Sequence, residues 1–278
     1  MPYSNNLESS NPGCIVFLID QSGSMGGMWD KTGYSMAYGA AQAVNNAIAE
    51  ISLRCKKEKE VKPRAMIGVY GYHHNQVDWV ITDTPSESGG LASITSIAAN
   101  VKDEVFVDEE ETFVPVFVKE EAGGGTPMGE ALKEIVEIVE NFAQKYPNSY
   151  PPIVINVTDA GSTDMDINDL SAKCSAIKSI ATSDGNALVW NIHISNSSAE
   201  VHTCPDDGSQ MPDELAQAML DASSPVPDNA KEYARIMYNW ELGEEAKCMA
   251  YNADAKVISK LLSFASSVSG LDRNDEDM

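Results

Sequence analysis

Continuous apolar runs alternate along the chain with segments in which apolar residues recur every three or four positions. A short unbroken apolar run is typical of a strand buried on both faces of a parallel sheet. Such runs span residues 14–20, 65–72, 152–158 and 187–194. The periodic segments indicate amphipathic helices, and they span residues 34–53, 127–146, 167–182, 212–222, 229–240 and 257–268. Because strands alternate with helices, we expect a doubly wound α/β fold with a mostly parallel central sheet and helices on both faces.

One pair of strands departs from this alternation. Only four polar residues, at positions 73–76, separate the run at 65–72 from a second strand-like run at 77–82. A link this short joins antiparallel neighbours, because a parallel crossover needs a dozen or more residues. We therefore expect one antiparallel strand in the otherwise parallel sheet.

The chain shows no internal repeat and no linker, so one domain with appendages is expected. The expected parts are an N-terminal extension at 1–12, a core at 13–200, a C-terminal helical extension packed on the same domain at 201–270, and a disordered acidic tail at 271–278. Two further short strands are expected at 113–118, where Pro115 limits the length, and at 247–251. The acidic cluster at 108–111 is expected to form a solvated turn.

Charge narrows the classes of partner. Among 278 residues, 42 are Asp or Glu and 19 are Lys or Arg, which gives a net charge of −23. Nucleic-acid binding requires clustered Lys and Arg that displace counterions, and anionic membranes attract the same residues. We therefore expect neither nucleic acid nor membrane as a partner. An acidic protein can still hold cations and dock basic proteins.

The cysteines and the N-terminal residues indicate a cytoplasmic protein. Residues 1–13 have neither the basic start nor the apolar run of a secretory signal, and no apolar stretch approaches the ~18 residues of a membrane span. The five cysteines are odd in number and widely spaced, and we expect them to be free, buried thiols in a reducing compartment.

Oxygen-bearing side chains stand where loops leave the predicted strands. Asp20 and Asp159 each end a strand, and Thr126 precedes a helix that it could cap. Asp20, Ser22 and Ser24 alternate, so their side chains point the same way. In doubly wound folds ligands bind beyond the carboxyl ends of the strands, so these loops should share one exposed edge. All-oxygen ligands suit a hard cation, Mg²⁺, Mn²⁺ or Ca²⁺, rather than zinc.

These motifs resemble those of a known family. The stretch Asp20-Gln-Ser-Gly-Ser24, Thr126 within Gly-Gly-Gly-Thr-Pro, and Asp159 within Val-Thr-Asp look like the metal-ion-dependent adhesion site of von Willebrand factor A (vWA) domains. The resemblance covers residues 13–195. It implies that Asp20, Ser22, Ser24, Thr126 and Asp159 bind the metal directly or through water, and that an Asp or Glu of a partner protein completes the coordination.

A narrower resemblance concerns the surrounding sequence. The stretch at 123–132 and the ending Tyr251-Asn-Ala-Asp254 look like bacterial cytoplasmic vWA proteins of the TerY type. That resemblance implies a signalling or scaffold role in stress resistance, with a kinase or a metal-dependent protein phosphatase as partner, and no catalysis by this chain.

Other functions remain as alternatives. A phosphohydrolase with Asp20 as nucleophile commonly needs a second Asp two residues on, where this chain has Ser22. An extracellular adhesin would fit poorly with unpaired cysteines. An adaptor for an AAA+ ATPase or chelatase would keep the binding role with another partner.

Several side chains have two interpretations. The aspartates at 164, 166 and 169 could form a second cation site or begin a helix. His73 and His74 could be solvated turn residues or zinc ligands, and His202 with Cys204 could form a metal-binding pair. Met25 and Met28 could present a partner surface or pack the loop.

Overall fold

An eight-stranded mixed sheet forms the centre of the protein. The computed structural model describes residues 2–29, 32–87, 89–106, 113–159, 161–195 and 200–267. The strands are β1 (Gly13–Asp20), β2 (Ala65–His73), β3 (Gln76–Trp79), β4 (Ala92–Ser93), β5 (Ile153–Thr158), β6 (Leu188–Ile194), β7 (His202–Thr203) and β8 (Met249–Ala253). Their order across the sheet is β7-β8-β6-β5-β1-β2-β3, with β4 paired to β2.

In the described ranges, seven α-helices cover the two faces of this sheet. They are α1 (Met36–Arg54), α2 (Ile94–Asn100), α3 (Met128–Lys145), α4 (Leu170–Lys178), α5 (Glu214–Ala222), α6 (Asp228–Tyr238) and α7 (Ala255–Ser267). Apolar residues of α1, α2, α6 and α7 form one buried cluster, and those of α3, α4 and α5 form the other. Strand β1 serves both, because successive side chains point to opposite faces: Phe17 packs in the first cluster and Val16 in the second. The expected doubly wound α/β fold is confirmed.

The strand directions include the predicted antiparallel hairpin and two further antiparallel strands that were not expected. Strand β1 is parallel to β2 and β5, and β6 is parallel to β5 and β8. The predicted antiparallel hairpin is present, as β2 and β3. Two more antiparallel strands, β4 against β2 and β7 against β8, have two residues each. Runs this short carry no readable periodicity, so the sequence pattern gave no indication of them.

The C-terminal third contributes to the sheet as well as to the helical layers. Strand β8 lies inside the sheet, between β6 and β7, and α7 packs against α1. The segment that we expected as a helical extension therefore includes two strands of the central sheet. At the other end of the chain Leu7 is buried, and the backbone N–H groups of Ser4 and Asn5 donate to the carboxylate of Asp184.

Smaller elements fill the connections. Three two-stranded hairpins pair Lys56–Lys57 with Glu60–Val61, Glu104–Phe106 with Phe113–Pro115, and Ala181–Thr182 with Gly185–Asn186. Short 3-10 helices occupy Gly23–Gly26, Ile167–Asp169 and Gly208–Gln210. The expected turn at 108–111 and the tail at 271–278 lie outside the described residues. No helix in the described ranges is both long enough and apolar enough to cross a bilayer.

Candidate metal centre

Backbone hydrogen bonds join the loop after β1 to the glycine-rich loop before α3. The Gly23 N–H donates to the Gly124 carbonyl at 3.0 Å, and the Gly123 N–H donates to the Gln21 carbonyl at 2.8 Å. Two bonds in opposite directions fix the two loops side by side. Residues 20–24 and Thr126 are therefore held at the same edge of the sheet, where the strands' carboxyl ends lie.

The loop after β5 is tied to this pair through Thr126. The Thr126 N–H donates to Thr163 Oγ1 at 2.9 Å, and the Thr163 N–H donates back to the Thr126 carbonyl at 2.9 Å. The Ser162 hydroxyl donates to the same carbonyl at 3.2 Å. All three sequence motifs thus meet at one place, as expected. Thr163 escaped the sequence analysis because nothing local marks a contact 37 residues away.

Hydrogen bonds link four of the five candidate ligands in series, and we call this series the chain of oxygens because its side chains offer only oxygen atoms. The Ser22 N–H donates to Asp20 Oδ1 at 2.8 Å, and the hydroxyls of Ser22 and Ser24 lie 3.0 Å apart. The Ser24 hydroxyl then donates to Asp159 Oδ1 at 2.9 Å. The fifth candidate, Thr126, is held at this edge by the backbone hydrogen bonds given above, and its side chain is buried.

The chain of oxygens runs from the interior to the surface. Asp20, Ser22 and Thr126 are buried, whereas Asp159 is half-buried and Ser24 is exposed. The expectation of a wholly exposed loop edge was therefore wrong for Asp20, whose carboxylate lies beneath the loop. There the Thr158 hydroxyl donates to Asp20 Oδ2 at 2.7 Å. Thr158 orients Asp20 and was missed in the sequence, where it reads only as the end of an apolar run.

Burial opposes the ionisation of both carboxylates, and the charge of Asp20 also opposes that of Asp159. Burial raises the pKa of Asp20, although hydrogen bonds from Ser22 and Thr158 counteract this effect. Burial, followed by the charge of Asp20, raises the pKa of Asp159 to about 6. Neither carboxylate forms an ion pair with a Lys, Arg or His within the described ranges. A cation between them would supply the missing positive charge.

The donor set fits a hard cation. Two carboxylates and three hydroxyls offer only oxygen atoms, which Mg²⁺, Mn²⁺ and Ca²⁺ prefer. In the part of the chain that the structure describes, no three His, Cys, Asp or Glu side chains gather as a metal-holding group. A site at this edge therefore depends on the neutral hydroxyls as much as on the two carboxylates.

Asp164, rather than Thr126, caps helix α3. The N-cap position is Pro127 and carries no side-chain capping bond, so the expected role of Thr126 as N-cap was wrong. Asp164 instead accepts the Gly129 N–H at 2.9 Å and the Glu130 N–H at 2.8 Å. Asp166 caps the 3-10 helix that follows, through the Asn168 N–H. Asp166 therefore begins a helix, which is the simpler of the two interpretations considered for it, whereas Asp164 caps a helix that lies earlier in the chain.

The two methionines of the loop after β1 differ. Met25 is fully buried in the core on the α1 side of the sheet, so it packs the loop. Met28 is 58% exposed and forms an antiparallel bridge with Ser35. Only Met28 is available to a partner.

No protein-family profile matches this chain, and no curated protein sequence matches it. Solved structures do align with it. The pilus adhesin SpaC from Lactobacillus rhamnosus GG aligns over 95% of this chain and 31% of its own, with 14% identity and a TM-score of 0.51. A von Willebrand factor type A protein from Catenulispora acidiphila aligns over 92% of this chain and 43% of its own, with 18% identity and a TM-score of 0.47. The minor pilin PilB from Streptococcus sanguinis aligns over 94% and 62%, with 12% identity and a TM-score of 0.48.

The alignment with the pilus adhesin shows that this chain shares its fold with part of that protein. At these identities the likeness concerns the fold alone, and the chain spans less than two thirds of the length of each of these proteins.

Proposed function

We propose that this chain is a metal-dependent protein-interaction module. Asp20, Ser22, Ser24, Thr126 and Asp159 would hold Mg²⁺, or alternatively Mn²⁺ or Ca²⁺. The observation that carries the proposal is the chain of oxygens from buried Asp20 to half-buried Asp159, which offers ligands on one side and solvent on the other. When bound, the metal supplies a Lewis-acidic position that a partner's carboxylate can occupy.

The contacts of the serines favour binding over catalysis. Ser22 and Ser24 hydrogen-bond to each other, and Ser24 also bonds to Asp159. Among the residues that the structure describes, no His is hydrogen-bonded to either hydroxyl as a general base would be. Position 22 holds Ser where a phosphohydrolase of the alternative type needs Asp. We therefore propose that the chain has no enzymatic activity of its own.

The partner that suits this site presents an Asp or Glu surrounded by basic residues. Exposed acidic side chains flank the glycine-rich loop and the loop after β5; we call them the acidic rim, and they are Glu120, Glu121 and Asp164. They repel an isolated acidic partner and attract basic residues around the coordinating carboxylate. The partner class that we propose first is a kinase or a metal-dependent protein phosphatase of a bacterial stress-resistance system.

The cysteines support a reducing location for this activity. All five, Cys14, Cys55, Cys174, Cys204 and Cys248, are free and buried. Free thiols in the core are typical of proteins from a reducing compartment, so we propose a cytoplasmic, TerY-type role.

Titration calorimetry on chelator-treated protein tests the metal site. The wild type should bind one Mg²⁺, and Ser24→Ala or Thr126→Ala should weaken binding about tenfold, or ~1.4 kcal/mol, by removing one neutral oxygen. Ser96→Ala removes a hydroxyl from α2, away from the loops, and should bind as the wild type does. Equal affinities in all four proteins would show that the five residues are not the ligands.

A second experiment tests the metal bridge. The full chain is used to capture partners from a bacterial lysate with Mg²⁺, with excess chelator, and at high salt. A kinase or phosphatase captured with Mg²⁺ should be lost with chelator, and salt should weaken its capture by screening the acidic rim. Capture that persists undiminished in chelator would contradict the metal-bridge mechanism without affecting the fold.

A further inference from the structure

A pair of histidines stands beside the glycine-rich loop, outside the five-residue site. His73 ends β2 and His74 begins the turn to β3, with His74 in the left-handed backbone region at φ 51°. The two Nδ1 atoms face each other at 2.9 Å, and the rings are close to perpendicular at 79°. Adjacent residues in a strand normally point to opposite faces. The left-handed turn at His74 is what brings both rings to one side.

Two carboxylates lie near Nε2 of His73. Its Nε2 lies 3.5 Å from Asp78 Oδ2 and 3.9 Å from Glu121 Oε1. Two acceptors on this side favour the tautomer with the proton on Nε2, which leaves the lone pair on Nδ1 directed at His74. An imidazole that turns its second nitrogen to a carboxylate is the usual arrangement of a metal-binding histidine.

Glycine backbone fixes the orientation of His74. A Cβ atom added at Gly124 would lie 2.6 Å from His74 Cγ, and one added at Gly123 would lie 3.0 Å from Cε1. The ring therefore lies directly on the glycine-rich loop, at a distance that no side chain at Gly124 would permit. Both rings are held in place before any ligand arrives, which lowers the entropy cost of binding.

We propose that His73 and His74 bind a divalent transition-metal ion through their Nδ1 atoms. At a metal–nitrogen distance of ~2.0–2.1 Å, the 2.9 Å separation corresponds to an angle of about 90° at the metal. That angle suits square-planar or octahedral ions such as Ni²⁺ and Cu²⁺, whereas tetrahedral Zn²⁺ needs nitrogens about 3.4 Å apart. Asp78 and Glu121 add negative charge behind His73, and water occupies the remaining coordination positions.

The simpler interpretation is a hydrogen bond between the two rings, with His74 donating from Nδ1. The same lone pair on His73 Nδ1 serves both arrangements. His74 is exposed, so its proton can move to Nε2 and be solvated there when a metal binds. Titration with a metal ion distinguishes the two interpretations.

Calorimetric titration of the full chain with Ni²⁺, in saturating Mg²⁺ to occupy the oxygen site, tests the proposal. We expect one Ni²⁺ per chain and a loss of at least about tenfold in affinity for His73→Gln and for His74→Gln, since even outer-shell changes cost 10–100-fold in metal affinity. His202→Gln is the matched control on β7, and Asp20→Asn is the control for the oxygen site. Both should bind Ni²⁺ as the wild type does.

Thermal unfolding establishes whether each variant is folded. If His73→Gln does not fold, the test depends on His74→Gln, in which the replaced side chain is exposed. With Cu²⁺ as probe, electron paramagnetic resonance should show coupling to two nitrogens in the wild type and to fewer in His74→Gln. The proposal is overturned if the wild type binds no Ni²⁺, if both histidine variants bind it unchanged, or if binding is lost in Asp20→Asn. Because Mg²⁺ binding is measured separately, failure here leaves the proposed function untouched.

Discussion

Asp20 holds a carboxylate where water cannot reach it. Its oxygens accept the Thr158 hydroxyl and the Ser22 N–H, and Asp159 stands at the other end of the serine chain. Two hydrogen bonds offset only part of the cost of burying a charge. In the absence of a cation, the site therefore contains a charge that the fold tolerates rather than one that stabilises it.

We expect Asp20→Asn to bind no Mg²⁺. Its free energy of unfolding should nevertheless equal that of the metal-free wild type or exceed it by about 1 kcal/mol. The amide oxygen can still accept the Ser22 N–H, and the NH₂ group can donate to the Thr158 hydroxyl. The substitution also removes one of two like charges, and one pKa unit corresponds to ~1.4 kcal/mol. Chemical denaturation in chelator measures this difference. Added Mg²⁺ should raise the stability of the wild type only, and an Asp20→Asn protein that Mg²⁺ stabilises equally would contradict the assignment.

At this scale the sequence revealed residue types but not their surroundings. Asp20, Ser22 and Ser24 could be recognised because their alternation is local. The burial of Asp20, the hydroxyl of Thr158 beneath it and the contact of His74 with Gly124 all depend on segments far apart in the chain. Local patterns carry no information about such contacts, so these features required the structure.

Among the elements, α3 depends on a cap from another loop. Partial burial alone would raise the pKa of Asp164, but hydrogen bonds from Ser162, Gly129 and Glu130 together hold it below its usual value. The ionised carboxylate therefore stabilises the fold above about pH 4, and this contribution disappears as the pH falls below that value.

Asp164→Ala should lower the free energy of unfolding by about 1 kcal/mol at pH 7, as loss of an N-cap does. The difference from the wild type should shrink as the pH falls below about 4 and the carboxylate becomes protonated. Asp169→Asn is the matched control, because Asp169 precedes α4 without a capping bond, and its effect should stay within about 0.5 kcal/mol. Urea denaturation at several pH values measures both; a pH-independent deficit in Asp164→Ala would exclude an electrostatic cap.

The glycine-rich loop should tolerate no side chain at position 124. Gly124 has φ +68° and lies against His74. Gly124→Ala should therefore cost about 1–2 kcal/mol in stability and weaken Mg²⁺ binding, because the displaced loop carries Thr126. Gly161→Ala meets no atom within 4 Å and should be neutral or slightly stabilising. Thermal unfolding and Mg²⁺ calorimetry on both variants compare them; equal behaviour would mean that the loop can shift freely.

The ends of elements followed from sequence where a residue type forces them. Pro147 limits α3, which ends at Lys145, and Pro115 ends the strand Phe113–Pro115. By contrast, the helix expected over 167–182 is a 3-10 turn and then α4, which ends at Lys178. No residue in that stretch forbids a longer helix. The helix ends just before the hairpin that begins at Ala181, so its length depends on tertiary structure rather than on local sequence.

The whole molecule carries an excess of negative charge. A net charge of −23 on 278 residues repels itself in the compact state. Raising NaCl from ~0.01 M to ~0.15 M shortens the screening length from about 30 Å to about 8 Å. With chelator present, the melting temperature should therefore rise over this range, and the apparent affinity for Mg²⁺ should fall. Scanning calorimetry measures the first effect, and a melting temperature that falls with salt would contradict it.

The architecture was predictable because its strands and helices are long enough to show their periods. The order β6-β5-β1-β2 places four long strands at the centre, and each was expected from an apolar run. The strands β4 and β7 were not expected, since two residues define no period. The place of β8 inside the sheet is a matter of topology, which a local pattern does not contain.

The five buried thiols can be used to detect local opening of the fold. Burial raises the pKa of Cys55 and Cys174 to about 11 and that of Cys204 to about 12. An alkylating reagent can therefore modify them only when the segment around them opens. The labelling rate then measures how often that segment opens. Because Cys14 lies in β1 and Cys248 immediately precedes β8, pulsed alkylation read by peptide mass spectrometry distinguishes the middle of the sheet from one side. If Mg²⁺ slows labelling of Cys14 more than that of Cys248, the metal stiffens the protein locally, and equal slowing would indicate that the whole sheet opens as one unit.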